Sequence, residues 1–424
     1  MADMLNTSVP SGPVRRNGSA LDPLREPLFR SLWLAAVISY TGTWMQNVGA
    51  GWLMTQLTMS PLMVSLVQAA TPVPVFLVIL PAGALADMVD RRRFLLITQA
   101  WMVAAAGALG VLTLMGHITP WVLLGFTFVL GLGSVMNDPA WQAITPEIVC
   151  AENHAPAVAL NSVGFNVARA IGPALGGLVI AATSSGVAFL LNAASFFGVI
   201  FFLYYWKRPA LEQPGTERMF QSMRAGLLYV RATPLVHCVL IRTGAFSIAA
   251  SALLALLPII ARRCEQGATG YGLLLGSFGL GALAGAALLP RLKTYFSVDG
   301  LVAAAVVVFA LMTFAAGNTR AFPWLAMVLF VSGAAWIGIL ACLNVAAQTM
   351  SPPWMRARAL SMYLLVLQGG MALGSAAWGA LATKHGVPTT MLCSSLALLL
   401  GLTTVRRYPL TARQLELAPS VVRD

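Results

Sequence analysis

Charge is scarce in this chain, and acid is scarcer than base. Only 9% of the 424 residues are charged, with 14 acids against 26 cations. A water-soluble domain needs far more polar surface to cover its core, so a soluble globular fold is excluded. Hydrophobic residues make up 58% of the chain and the mean hydropathy is +0.79, which leaves integration into a membrane. Cysteine is also sparse: Cys150, Cys238, Cys264, Cys342 and Cys393 are odd in number and lack Cys-x-x-Cys spacing. That excludes a disulfide framework and a zinc site, and makes them packing residues. The four histidines, His117, His154, His237 and His385, are scattered, with no carboxylate at ligand spacing. No metal, no cofactor and no enzymatic activity are therefore expected. No Gly-x-x-x-x-Gly-Lys loop occurs, so ATP hydrolysis by this chain is not expected either. The net charge of +12 would suit nucleic acid only if the cations shared a folded face. They sit instead in short loops between apolar runs, so no nucleic-acid partner is expected.

What is present is uncharged length. From Ser31 to Ala86 there is no Asp, Glu, Lys or Arg. At ~1.5 Å per helical residue this stretch can cross a ~30 Å hydrocarbon layer more than twice, with Pro61 at the turn. Apolar runs bounded by Pro, Gly or charge fall at 29–57, 61–86, 94–115, 120–148, 155–181 and 186–206 in the first half of the chain. In the second half they fall at 235–261, 268–290, 300–318, 322–350, 357–382 and 387–405. The pattern predicts an all-α integral membrane protein of twelve transmembrane helices. Residues 1–28 form an N-terminal tail, 29–206 a first six-helix bundle, 207–234 a central loop, 235–405 a second six-helix bundle and 406–424 a C-terminal tail. The stretch Arg218 to Arg231 in the central loop has an amphipathic pattern suited to a surface helix.

The cations set the orientation. Arg262, Arg263, Arg320 and Lys384 fall in loops of one face, and Arg169 and Arg242 lie inside crossings. All the others lie in the termini and in the loops of the opposite face, which predicts that both termini are cytoplasmic. The first 30 residues carry Arg15, Arg16, Arg25 and Arg30 and have no apolar run of a cleaved signal peptide.

The chain also repeats itself. Ala140-Trp-Gln142-Ala-Ile-Thr-Pro146 near the end of the fourth crossing is echoed by Ala346-Ala-Gln348-Thr-Met-Ser-Pro352 near the end of the tenth. Ala159-Leu160-Asn161 is echoed by Ala359-Leu360-Ser361. An offset of half the chain is what duplicated six-helix halves require.

Two motifs carry a resemblance. Between the second and third crossings Gly83, Leu85, Ala86, Asp87, Arg91 and Arg92 stand in register with the Gly-x-Leu-Ala-Asp-Arg-x-Gly-Arg-Arg loop of the major facilitator superfamily, departing at Met88 and Asp90. In the fifth crossing Gly172-Pro173-Ala-Leu-Gly176-Gly177 resembles the Gly-Pro-x-x-Gly-Gly signature of its exporters. Together with Asn137-Asp138-Pro139-Ala140-Trp141-Gln142, these make the chain similar to the enterobactin-exporter and macrolide-efflux group of bacterial facilitators over most of residues 25 to 405. The resemblance implies a facilitator fold of two pseudo-symmetric bundles and alternating access in a bacterial inner membrane. It also implies a conformational latch formed by Gly83, Asp87, Arg91 and Arg92 with Arg356 and Arg358. Gly172, Pro173, Gly176 and Gly177 would pack the fifth helix against the opposite bundle.

Charge inside a membrane is costly, so Asp138, Arg169 and Arg242 are default functional candidates. Asp138 and Arg169 lie at similar depths on adjacent antiparallel helices, which permits an ion pair that protonation of Asp138 would release. They are the expected proton-coupling residues. The first helix has no carboxylate, so a lipophilic cation is not the favoured substrate. Tyr40, Trp44, Asn47, Gln68, Asn166, Arg242, Asn344, Gln348 and Gln368 are the expected substrate contacts, suited to a neutral or anionic amphipathic molecule with rings. The expectation is a monomeric exporter with a small-molecule substrate, protons and membrane lipids as partners. An importer or lipid-type transporter of the same fold, or a non-transporting membrane receptor, is the alternative.

Overall fold

The computed structural model describes residues 21–78, 90–206, 234–349 and 356–408. Among them all regular structure is helical. The first half contains α1 (Pro27–Leu57), α2 (Pro61–Ala70), α3 (Pro72–Val78), α4 (Arg91–Leu114), α5 (Pro120–Ile148), α6 (His154–Ala182) and α7 (Ser185–Tyr205). The second contains α8 (Pro234–Arg262), α9 (Gly267–Tyr295), α10 (Val298–Asn318), α11 (Phe322–Thr349), α12 (Arg356–His385), α13 (Val387–Gly401) and the short α14 (Thr403–Arg407). The starts are encoded locally. Proline opens α1, α2 and α5, where its missing N–H costs nothing. Asp90 Oδ1 accepts from Arg93 N at 2.8 Å, and Thr119, Ser184 and Ser297 cap α5, α7 and α10 in the same way.

Ten helices are long and apolar enough to cross a membrane, and α2 with α3, bent by 44° at their break, makes an eleventh. α1 has 31 residues, more than the length needed, but includes Thr41, Thr43, Gln46 and Asn47 and falls outside that set; the count is consistent with twelve crossings. The neighbour pattern is duplicated. In the first half α1 packs on α6 and α7, and α4 on α5 and α7; in the second α8 packs on α12 and α13, and α10 on α11 and α13. This is the two-bundle facilitator architecture.

The halves touch mainly through α6 with α9 and α2 with α12. Both contacts favour one face of the molecule, the face opposite the start of α1. There Arg262 Nη1 donates to the Thr55 carbonyl at 2.6 Å, Leu62 N donates to Thr383 Oγ1 at 3.2 Å, and Tyr271 stacks on Trp52 at 6.4 Å between ring centroids. Small residues make the approach possible. A Cβ added to Gly177 would lie 2.6 Å from the Ala268 carbonyl oxygen, so α6 and α9 touch backbone to backbone. Gly172 and Gly176 do something else. They face Trp44 and Met45 of α1 inside their own half, so of the expected inter-bundle set it is Pro173 and Gly177 that meet α9.

Candidate functional site

A cavity of about 260 Å³ lies between the halves. The first half supplies Trp44 and Asn47 from α1, Gln68 from α2, and Arg169 and Pro173 from α6. The second half supplies Phe278 and Gly279 from α9, Trp336 from α11, and Gln368 and Met371 from α12. One cation and three amides thus sit among aromatic walls. That set suits a molecule with rings and an acceptor or negative group, because arginine supplies five fixed donors and no acceptor. Trp44, Asn47, Gln68 and Gln368 are brought together here as the sequence suggested. Phe278 and Trp336 were not anticipated, since an aromatic residue in an otherwise apolar helix carries no distinguishing period.

A second cavity, of about 520 Å³, lies wholly in the first half, nearer the face that bears the start of α1. It is lined by Tyr40, Asp138, Trp141, Gln142, Asn161, Phe165 and Asn166 among others. Phe165 stands beside both Tyr40 (5.4 Å) and Trp44 (6.3 Å), edge to face, so one aromatic cluster lies between the two cavities. The amides around it are partly spoken for. Asn161 Nδ2 donates to Thr145 Oγ1 at 3.0 Å, and Asn166 Nδ2 to the Ser162 carbonyl at 2.8 Å. Asp138 and Arg169 line different cavities, and no ion pair within 4.0 Å joins them. The expected bridge is therefore absent from this conformation. Adjacent helices and similar depth are necessary for a pair, but the two side chains leave their helices toward different spaces.

Three other expected residues are placed elsewhere. Arg242 is 3% exposed; it pairs with Asp299 of α10 and donates to the Tyr408 carbonyl at 3.3 Å, so it has protein partners and does not line the central cavity. Asn344 and Gln348 are bonded to each other along α11, with Gln348 Nε2 donating to Asn344 Oδ1 at 2.6 Å. Of the expected latch, Gly83 and Asp87 lie outside the described residues, as does the side chain of Arg91. Arg92 donates from Nε to the Leu203 carbonyl and from Nη2 to the Tyr204 carbonyl, both at 2.6 Å, which closes the C-terminal end of α7. Arg356 is exposed and Arg358 half-buried at the start of α12. Among the described residues no three His, Cys, Asp or Glu side chains form a metal-binding group.

Two pseudo-symmetric bundles with a polar cavity between them define a membrane transporter of the major facilitator type. The comparisons agree. Residues 18–422 match the family of transmembrane secretion effectors, and the chain belongs to it. It is 26% identical over 417 residues to the enterobactin exporter EntS of Escherichia coli O1:K1 / APEC, covering 93% of this chain and 96% of that protein. The enterobactin exporter EntS of Shigella boydii serotype 18 is 27% identical over 411 residues, with the same coverage. Among solved structures, the nucleoside transporter NupG superposes with a TM-score of 0.71 at 12% identity, covering 90% of this chain and 99% of that one. An inward-facing, unoccupied bacterial homologue of the human lysosomal transporter Spinster gives 0.69 at 13% identity, covering 91% and 98%. At such identities the structures speak for the fold alone.

Proposed function

We propose that this chain exports a small amphipathic, neutral or anionic molecule across a bacterial inner membrane by alternating access, in antiport with protons. The observation that carries the reading is the central cavity, where Arg169 is the one cation among Trp44, Phe278, Trp336, Asn47, Gln68 and Gln368. Ring faces and amides bind an amphipathic body, and the guanidinium selects against a cationic one. Export is favoured by the similarity to enterobactin exporters and by the Gly-Pro-x-x-Gly-Gly run of α6. A siderophore-like or drug-like molecule fits that description.

The cation distribution supports a cytoplasmic position for both termini. The halves then meet on the periplasmic side, and the conformation is inward-facing. In this reading the Asp138 cavity is the cytoplasmic vestibule of the first bundle, and Asp138 loads and releases the coupling proton. Arg169 acts at the central cavity; the two need not touch in the inward-facing state to exchange influence as the cavity closes. The latch of Asp87, Arg91 and Arg92 with Arg356 and Arg358 would hold the cytoplasmic side shut in the opposite state.

The test is accumulation of a labelled catecholate siderophore, and of an uncharged amphipathic drug, in inside-out vesicles with an imposed pH gradient. Accumulation against a concentration gradient that collapses with the pH gradient is expected. Accumulation only in right-side-out vesicles would make the chain an importer, and equilibration without accumulation would remove proton coupling.

A further inference from the structure

A cleft of about 300 Å³ opens on the outer surface of the second half, away from both cavities of the transport path. Its cause is topological. α9 and α10 are joined by only Phe296 and Ser297, and both pack on α11 while scarcely touching each other. They diverge from the joint and leave a slot floored by α11. The walls are Gly285, Leu288 and Leu292 of α9 facing Leu301, Ala304 and Val308 of α10, and no polar side chain lines the slot. Leu288 is 48% and Phe296 58% exposed, so the slot opens toward lipid. From Phe296 to Gly285 it runs about 16 Å along α9, close to the ~15 Å depth of one leaflet.

We propose that this slot holds one acyl chain of an anionic phospholipid, with the headgroup phosphate at Arg291 and Lys293. Both cations are exposed in the last turns of α9, at the level where the slot meets the basic face. The acid at that mouth, Asp299, is ion-paired with Arg242, and the positive end of the α10 dipole points the same way. A cationic rim above a one-leaflet apolar slot matches a lipid with a negative head. The inference is independent of the transport reading.

Gly338 supplies the probe. It lines the slot, and a Cβ added there meets no atom within 4 Å, so Gly338→Leu sends its side chain into the slot with the Cβ clear of the protein. Gly125→Leu, at another glycine with open space around its Cβ, is the control. Ala304→Leu fills the slot from the facing wall and guards against misfolding of the first variant. The measurement is native mass spectrometry of purified protein titrated with dioleoyl phosphatidylglycerol or dioleoyl phosphatidylethanolamine. The parent and Gly125→Leu should retain phosphatidylglycerol preferentially, and Gly338→Leu and Ala304→Leu should lose that retained lipid. Arg291→Gln with Lys293→Gln should keep a bound lipid but lower the preference for phosphatidylglycerol by roughly tenfold. Undiminished phosphatidylglycerol retention in both slot-filling variants would overturn the site. So would equal retention of the two lipids by the parent, or displacement of the lipid by a transported compound.

Discussion

Arg242 of α8 is met by Asp299 and by the Tyr408 carbonyl, whereas Asp138 and Arg169 of the first half line two cavities without pairing. The duplicated sequence sharpens this contrast. Gln142 aligns with Gln348 in the repeat, which sets Asp138 opposite Asn344, four residues earlier on each helix. In the second half that position is an amide closed by a bond from Gln348; in the first it is an acid exposed to a cavity. A charge at membrane depth costs several kcal/mol unless it finds a partner or water. The second half meets that cost with a partner, and the first half keeps its charges where ligand, water or proton can reach them. The duplication thus separates a bundle whose buried charge is met by the protein from one whose charges line cavities, and the proposed proton coupling rests on that difference.

The largest effect should follow from breaking the structural charge. Asp299→Ala leaves Arg242 buried and unpaired, which costs on the order of 3–5 kcal/mol for such a group. Thermal unfolding in detergent should show a marked loss of stability, and Arg242→Met combined with Asp299→Leu should recover most of it. A single Asp299→Ala variant as stable as the parent would make the second-half pair dispensable and erase the contrast.

Next comes the charge proposed to carry the proton. Asp138→Asn should abolish accumulation driven by a pH gradient while downhill exchange of substrate persists and thermal stability changes by less than about 1 kcal/mol, because no protein partner is lost. Undiminished gradient-driven accumulation would move the proton carrier elsewhere. A smaller effect separates the two glycine contacts of α6. Gly177→Leu collides with the α9 backbone and should bias the protein toward separation of the halves at that face, whereas Gly176→Leu collides with α1 inside its own half. Labelling of cysteines engineered on the two faces should shift for Gly177→Leu and not for Gly176→Leu; the reverse would misplace the hinge contact.

The same contrast explains what could be read from the sequence. Uncharged length and proline or glycine boundaries located the crossings, because hydrocarbon thickness sets helix length directly. They failed where a helix outruns its apolar stretch: the eighth crossing was expected to end at 290, but α9 continues through Pro290, Arg291 and Lys293 to Tyr295. That Trp44, Asn47, Gln68 and Gln368 face one cavity was legible because a polar or amphipathic side chain in such a helix needs a reason. Trp336 was not, because its neighbours Ala335 and Ile337 make it look like core. Arg242 lies away from the central cavity, and the sequence conceals this for a related cause. Its partner Asp299 stands one residue before the apolar run at 300–318, so the count of acids at membrane depth passed over it.

The smallest expected effect tests the contrast most directly. Asn344→Asp gives the second half the acid that the first half has at the matching position. Gln348 already donates a side-chain N–H to that site, so a carboxylate there would find a donor at once. The residue does not line the central cavity or the Asp138 vestibule, so its charge would not be offered to substrate. Transport by Asn344→Asp should therefore stay within about twofold of the parent, a change of ~0.4 kcal/mol. In an Asp138→Asn background it should restore no pH-gradient-driven accumulation. If it does restore accumulation, a carboxylate at either pseudo-equivalent position can carry the proton, and the difference between the halves would lie in the residue present and not in the surroundings each half builds around it.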